Sequence, residues 1–144
     1  EQPESIVDAI RTEHDAGNFV IVFPHWGNEY QTTPSVAQTD AAQMFVDAGA
    51  DLIVGAHPHV IEPIGSIDNV PVAYSLGNFV FDQDWSAATK EGLLLTVTIT
   101  DDAVTIVPTP VTVTNRQPTI MTGPRVQEIL DFVGTPTGSV TFAR

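Results

Sequence analysis

Three of the four histidines stand where a metal-binding sequence would place them. His25 closely follows the apolar run at residues 19–23, and His57 and His59 follow a second run at residues 51–54. Ligands of open α/β sheets bind beyond the carboxyl ends of the strands, so two neighbouring parallel strands would bring these loops together. Neutral imidazole is a common ligand for zinc and also suits iron and manganese. The spacing therefore favours a metal site built from these histidines.

A structural role is the alternative for each of these histidines. A histidine after a strand is usually a hydrogen-bonded loop residue, and His-Pro-His alone is a weak motif. Pro58 restricts the backbone of His57 and stiffens the turn, so the two imidazoles can face one ion or two. Because the chain has no cysteine, any metal must be held by nitrogen and oxygen. His14 lies near the end of a predicted helix, where it favours the helix dipole, and we assign it no function.

Other polar residues near these motifs have two interpretations each. Glu29, four residues after His25, is a candidate general acid or base, or an exposed loop carboxylate. Trp26 is a candidate stacking surface for a substrate, or a packed lid on the site. Ser75 and Asn78 are candidates to orient a histidine or a bound anion, although Asn78 also suits a simple turn.

The composition limits the class of partner. The chain has 144 residues, of which 42% are hydrophobic, and this is enough for the core of one folded domain. Its formal net charge of −13 argues against nucleic acid and against anionic membrane surfaces, because both repel a polyanion. The acidity suits a divalent cation, or simply solubility in a salty medium. We find no apolar run near the roughly 20 residues that span a bilayer, and no signal peptide at the start, as expected of a processed or truncated chain.

The first half of the chain predicts alternating helices and strands. A helix is expected at residues 5–16, and Thr33 followed by Pro34 predicts the start of a second helix that ends at Ala48. The apolar runs read as buried strands because they are short and rich in β-branched residues. This order predicts a βαβ unit with parallel strands.

The second half predicts antiparallel strands. Asp68 and Asn69 suit a hairpin turn between residues 60–67 and 70–75. A second hairpin is expected at residues 92–100 and 103–113, with one face lined by threonine. A helix is predicted at 125–133, and residues 134–144 read as a frayed tail or a final edge strand. The fold class is therefore a mixed α/β fold, a βαβ unit followed by antiparallel strands.

Three strings of residues carry a resemblance to a known family. They are HWGNEY from His25 to Tyr30, GAHPHV from Gly55 to Val60, and YSLGNFVFD from Tyr74 to Asp82. In this order and spacing they resemble motifs of the bacterial capsule-synthesis family of the CapA, poly-γ-glutamate type. The resemblance covers roughly residues 5–100.

The resemblance implies a fold and a chemistry. The family is similar to calcineurin-like metallophosphoesterases, so residues 1–133 are expected to form the C-terminal part of one αββα sandwich domain. The late metal ligands of that fold imply His25 for one strand end and His57 and His59 for the next. The expected activity is that of a hydrolase or transferase dependent on Mn, Zn, Fe or Mg. It would act on a phosphoester or on amide bonds of a cell-envelope polymer, with Glu29 as a proton carrier. The family also implies a place outside the cytoplasm, at the cell surface or secreted.

The sequence departs from the family pattern in one respect. Such domains begin with an Asp-bearing strand, an acidic loop and an Asn-His element, which supply further ligands, and this chain shows none of them. We therefore expect that a preceding segment or another chain supplies the rest, or that this version does not perform the chemistry. The alternative function is a non-catalytic scaffold or polymer-binding component of capsule assembly and export. A homo-oligomer that covers an exposed sheet edge is a further possibility.

Overall fold

The fold has the mixed α/β arrangement that the sequence predicts. The computed structural model describes the backbone of residues 3–144 and the side chains from Ser5 onward. Three helices and eight strands are described in this range, together with a short 3-10 helix at Ala88–Lys90. The helices are α1 Pro3–Asp15, α2 Val36–Asp47 and α3 Pro124–Phe132. The strands are β1 Ile21–Val22, β2 Leu52–Val54, β3 Ile64–Ile67, β4 Val70–Ala73, β5 Glu91–Ile99, β6 Ala103–Thr114, β7 Gln117–Ile120 and β8 Val140–Ala143.

The first sheet contains the predicted βαβ unit. Its strand order is β1-β2-β4-β3. Strand β1 pairs in parallel with β2, with Ile21 opposite Leu52, and β2 pairs in parallel with β4. Strands β3 and β4 form the predicted antiparallel hairpin, and its turn residues Asp68 and Asn69 both have positive φ, as a tight hairpin turn requires. The sequence did not predict that β4 would add to the parallel part of the sheet.

The predicted start of α2 was wrong by two residues. Ser35, rather than Thr33, is the N-cap, and its side chain accepts a hydrogen bond from the backbone N–H of Gln38. The Gln38 side chain accepts in return from the Ser35 backbone N–H, which completes a capping box. This reciprocal pair satisfies two backbone donors and outweighs the preference of Pro34 for the first helical turn.

The interpretation of residues 19–23 as a buried strand is confirmed only in part, because a strand is present and Val20 is buried but Ile21 and Phe23 are not. Strand β1 is only two residues long and lies at the edge of its sheet. The side chains of Ile21 and Phe23 are 53% and 68% exposed. They line an open apolar groove of about 480 Å³, whose opposite wall includes Leu93 and Leu95 of β5. The apolar run indicates burial correctly for β2, which has a neighbouring strand on each side, but not for β1, which has a neighbour on one side only.

The second sheet is antiparallel and packs against the first. Strands β5 and β6 form the predicted hairpin, with Leu93 buried and the neighbouring Leu94 exposed. Strand β7, which the sequence did not predict, follows β6 through a turn at Asn115 and Arg116. The last residues include an edge strand, since β8 pairs with β6.

Two apolar cores hold these layers together. One joins the two sheets and includes Leu52, Ile64, Ile106 and Ile129. The other packs α1 and α2 on the outer face of the first sheet, through Ile10, Phe45 and Val72 among others. None of the helices in the described part of the chain is long and apolar enough to cross a bilayer.

Candidate metal centre

The loops after β1 and β2 continue to run side by side beyond the sheet. His25 and Ala56 form an isolated parallel bridge. The Trp26 N–H donates to the Ala56 carbonyl oxygen at 3.0 Å, and the Ala56 N–H donates to the Pro24 carbonyl oxygen at 3.0 Å. As a result the imidazole rings of His25 and His57 lie with their centroids 4.5 Å apart. The convergence that the sequence predicted is therefore present.

The His-Pro-His turn has an unusual backbone. His57 has φ = 105° and His59 has φ = 61°, and Tyr30 in the facing loop has φ = 64°. Such conformations cost on the order of 1–3 kcal/mol each for residues with a Cβ, and they persist only where surrounding contacts hold them. One such contact is the 2.8 Å hydrogen bond from the Tyr30 N–H to the Pro58 carbonyl oxygen, which ties the two loops together.

Three side chains in these loops present ligand atoms to one point. Glu29, His57 and His59 each offer one atom, and these atoms lie within 4.8 Å of one another. The His59 Nε2 atom is 3.9 Å from a carboxylate oxygen of Glu29. Two imidazoles and a carboxylate form a donor set that suits Zn, Fe or Mn better than Mg, which prefers oxygen ligands. His25 lies beside this group, against His57.

Asn78 determines which nitrogen of His59 is free. The Asn78 Nδ2 atom donates to the Thr89 carbonyl oxygen at 2.9 Å, which fixes the orientation of the amide. Its Oδ1 atom therefore faces His59 Nδ1, 3.0 Å away, and can only accept. A neutral His59 must then carry its proton on Nδ1, which leaves the lone pair on Nε2, the atom 3.9 Å from the Glu29 carboxylate. Hydrogen bonds of this kind orient ligand histidines in metal proteins.

The polar atoms of Trp26 and Ser75 are used within the protein. The Trp26 indole N–H donates to the Tyr74 carbonyl oxygen at 2.9 Å, and its ring stacks on Phe45 and Tyr74. A Cβ on Gly55 would lie 2.1 Å from that same oxygen, so only glycine permits this contact. The buried Ser75 hydroxyl donates to the Val60 carbonyl oxygen at 2.8 Å. These contacts shape the loops around the histidines, and contact with a substrate stays a prediction for both residues.

Aromatic rings that the sequence interpretation did not single out surround the histidines. The ring centroid of Phe81 lies 5.1 Å from that of His59, and Tyr30 lies 6.1 Å from it. Trp85 meets Tyr30 edge-on. All three aromatic side chains are more than 40% exposed. Tyr30 and Phe81 belong to the motif strings quoted above, and this was the signal that could have identified them.

A comparison with protein families identifies the family to which the chain belongs. The model of the family "Bacterial capsule synthesis protein PGA_cap" matches residues 1–83, more than half of the chain. The chain belongs to this family. The match includes the loops of His25, His57 and His59 as well as Asn78.

Individual relatives point to the same family. The chain is 44% identical over 92 residues to "PGA biosynthesis protein CapA" of Bacillus subtilis, an overlap of 64% of this chain and 24% of the relative. It is 45% identical over 89 residues to "Capsule biosynthesis protein CapA" of Bacillus anthracis, with 62% of this chain and 21% of the relative covered. A "Probable polyglutamine synthesis accessory protein" of Mycobacterium tuberculosis is 26% identical over 104 residues, 69% of this chain and 27% of that protein. The matched part thus spans about a quarter of the length of these relatives.

Proposed function

We propose that this chain forms part of a metal-dependent protein of capsule or poly-γ-glutamate biosynthesis. The ligands in this proposal are His57, His59 and Glu29, with His25 beside them. The observation that carries it is the convergence of three ligand atoms within 4.8 Å, one of them on a histidine whose free nitrogen is fixed by Asn78.

Each residue then has a specific task. A divalent ion held by these residues would supply Lewis-acid chemistry, the polarisation of a substrate oxygen and the activation of water. Asn78 holds His59 in the tautomer that leaves Nε2 free, and Trp26 braces the backbone next to His25. The position of Glu29 beside His59 supports a ligand role, and its predicted role as a proton carrier is the alternative. Tyr30 and Phe81 form an apolar rim around His59.

The names of the relatives supply the biological context of the proposal. Two of them are CapA proteins of capsule or PGA biosynthesis, and this chain would act in the same kind of process. The substrate would be a phosphoester or an amide of a cell-envelope polymer, and the reaction a hydrolysis or a transfer. In such a role we expect the protein to act outside the cytoplasm, at the cell surface or secreted.

Metal titration of the purified chain tests the proposed site. We expect one Zn²⁺ or Mn²⁺ per chain by isothermal titration calorimetry, and no specific binding in the double variant His57→Ala/His59→Ala. The control is His14→Ala, which removes an exposed imidazole from the last turn of α1 and should bind like the parent. Equal binding by the parent and the double variant would overturn the proposal.

Activity assays separate catalysis from a scaffold role. In the full-length protein with metal bound, we expect turnover of either a chromogenic phosphoester or a γ-glutamyl amide, and loss of that turnover in the His57→Ala/His59→Ala variant. Stoichiometric metal without turnover of either compound would contradict the enzymatic part of the proposal and favour a non-catalytic component of polymer assembly.

A further inference from the structure

A buried polar bridge lies beneath the candidate metal centre. Glu62 is fully buried at 0% exposure, and Gln38 of α2 is 1% exposed. The Gln38 Nε2 atom donates to Glu62 Oε2 at 2.7 Å. The other carboxyl oxygen, Oε1, has no hydrogen-bond partner among the described residues. An acidic side chain in such a place is costly, because burial disfavours its charged form. Burial accordingly raises the pKa of Glu62 above its ordinary value, against the smaller opposing effect of the hydrogen bond from Gln38.

The bridge touches both loops that carry the candidate ligands. Glu62 is three residues after His59 and shares its segment, and the Glu62 N–H donates to the Ser75 carbonyl oxygen at 3.1 Å. Gln38 packs against Gly27, where a Cβ would approach the amide group to 2.7 Å. Gly27 lies two residues after His25 and two before Glu29. A single amide group therefore separates the backbone of one ligand loop from the carboxyl group of the other.

The Gln38 side chain also contacts the start of α2. The Gln38 Oε1 atom accepts from the Ser35 backbone N–H at 2.8 Å and is 3.0 Å from the Ser35 hydroxyl oxygen. The orientation of the amide is thus fixed, with Oε1 towards Ser35 and Nε2 towards Glu62. The capping box of the helix and the spacing of the two loops depend on the same side chain.

We propose that Glu62 is a positioning residue for the candidate metal centre, and that its bridge to Gln38 sets the distance between the Glu29 loop and the His57–His59 turn. This inference rests on the proposed metal-binding function. The bridge would act through the backbone, since neither residue supplies a ligand atom to the group of Glu29, His57 and His59. Away from water such a hydrogen bond is electrostatically stronger than in solution, so the bridge favours one separation of the two loops.

Substitutions at Glu62 separate positioning from general stability. In Glu62→Leu the acceptor for Gln38 is lost, and we expect the dissociation constant for Zn²⁺ to rise about 10–100-fold, as for other supporting contacts of metal ligands. Glu62→Gln keeps an oxygen acceptor and should restore affinity to within about threefold of the parent. The matched control is Ile106→Ala in the second sheet, also 0% exposed, which lowers stability without touching the bridge. It should leave the affinity unchanged.

A second variant addresses loss of folding in Glu62→Leu. Replacing both partners, as in Gln38→Met/Glu62→Leu, leaves neither side chain of the bridge unpaired. It removes only the capping acceptor of the Ser35 N–H, so the variant is expected to fold. It should still bind Zn²⁺ more weakly than the parent. Parent-like affinity in this folded double variant, or in a folded Glu62→Leu variant, would overturn the inference.

A readout without metal distinguishes failure of the inference from failure of the proposed function. The side-chain nitrogen and proton resonances of His57 and His59 in the metal-free chain report loop geometry directly. We expect them to shift in Gln38→Met/Glu62→Leu, to remain in Ile106→Ala, and to return in Glu62→Gln. If the parent binds no metal, the proposed function fails, while these shifts still decide whether Glu62 positions the turn. Unchanged resonances in Gln38→Met/Glu62→Leu would contradict the positioning role.

Discussion

The β3–β4 hairpin turn and the His-Pro-His turn both contain residues at positive φ, but the residue types and the tasks of the two turns differ. In the β3–β4 hairpin the residues at positive φ are Asp68 and Asn69, which tolerate this conformation and lie exposed at the tip. In the site, His59 lies at φ = 61°, in the left-handed region that His visits more often than most residues, but His57 at φ = 105° lies outside that region. A hairpin turn needs only to reverse the chain. The site turn must also aim two imidazoles. It is held by a hydrogen bond from the Tyr30 N–H to the Pro58 carbonyl oxygen and by one from His59 Nδ1 to the Asn78 side-chain oxygen.

This contrast indicates that backbone strain is tolerated in the site turn but avoided in the hairpin turn. Residues suited to the turn occupy Asp68 and Asn69, so little strain is stored there. Strain at His57 and His59 is maintained by contacts from several elements, which is the pattern expected of functional sites. The difference gives four predictions, beginning with the one of largest expected effect.

Removal of the Asn78 amide should weaken the site most. In Asn78→Ala nothing fixes the tautomer of His59, and we expect the dissociation constant for Zn²⁺ to rise about 10–100-fold. Calorimetric titration measures this directly. The control is Gln83→Ala, which removes only a 3.4 Å contact to the Asn78 amide and should bind like the parent. Equal loss in both variants would mean that Asn78 does not act through His59.

Backbone strain at His57 should appear as a preference for glycine. Both His57→Gly and His57→Ala lose the imidazole, but only glycine accepts φ = 105° freely, so the glycine variant should be more stable by about 1–2 kcal/mol. Urea denaturation of the metal-free chain measures the difference. At His25, whose φ is not positive, the order should reverse, with glycine less stable by about 0.5–1 kcal/mol. The same order at both positions would break the comparison.

The β6–β7 hairpin turn, by contrast, should allow a substitution that raises stability and leaves metal binding unchanged. Arg116 has φ = 66° beside Asn115 in the β6–β7 turn. Arg116→Gly creates the Asn-Gly pair that tight hairpin turns favour, and we expect a gain of about 0.5 kcal/mol in unfolding free energy. Zn²⁺ affinity should stay the same. A change in affinity would show that the second sheet is coupled to the site.

The last prediction concerns how the buried Glu62 carboxyl group makes the stability of the fold depend on pH. The pKa of Glu62 is raised in the folded state, so between its ordinary value and the raised value the folded chain binds more protons than the unfolded chain. Stability is therefore lost as pH rises through this range. Glu62→Gln has no such proton, and its stability advantage over the parent should grow as pH rises above about 4.5 and vanish below it. Thermal unfolding across pH measures both curves, and parallel curves would contradict the burial of a titrating carboxyl.

Much of the fold could be predicted from local patterns. The hairpins followed from Asp68-Asn69 and from alternation in β5, and the βαβ unit followed from two apolar runs separated by a helix. The exposure of Ile21 and Phe23 could not be predicted, because an apolar run does not reveal which strand lies at the edge. The start of α2 was wrong because Ser35 and Gln38 satisfy each other in a way that single-residue preferences do not express.

For the candidate site, the sequence predicted the neighbours but not the geometry. The proximity of His25 and His57 followed from parallel strands. The 3.9 Å approach of the Glu29 carboxylate to His59 could not be predicted, and neither could the adjoining hydrogen bond from Tyr30 to Pro58, because both join loops that are distant in the sequence. The bridge between Gln38 and Glu62 joins residues 24 positions apart, and nothing in either segment alone indicates the pairing.

The most direct test of the metal centre is a nitrogen NMR spectrum of the histidine side chains during Zn²⁺ titration. The account predicts that His57 and His59 shift at one equivalent, that His59 coordinates through Nε2 and keeps its Nδ1 proton, and that His14 does not respond. If the chain takes up Zn²⁺ while His57 and His59 stay unchanged, the ion sits elsewhere on the acidic surface, and the proposed centre is wrong.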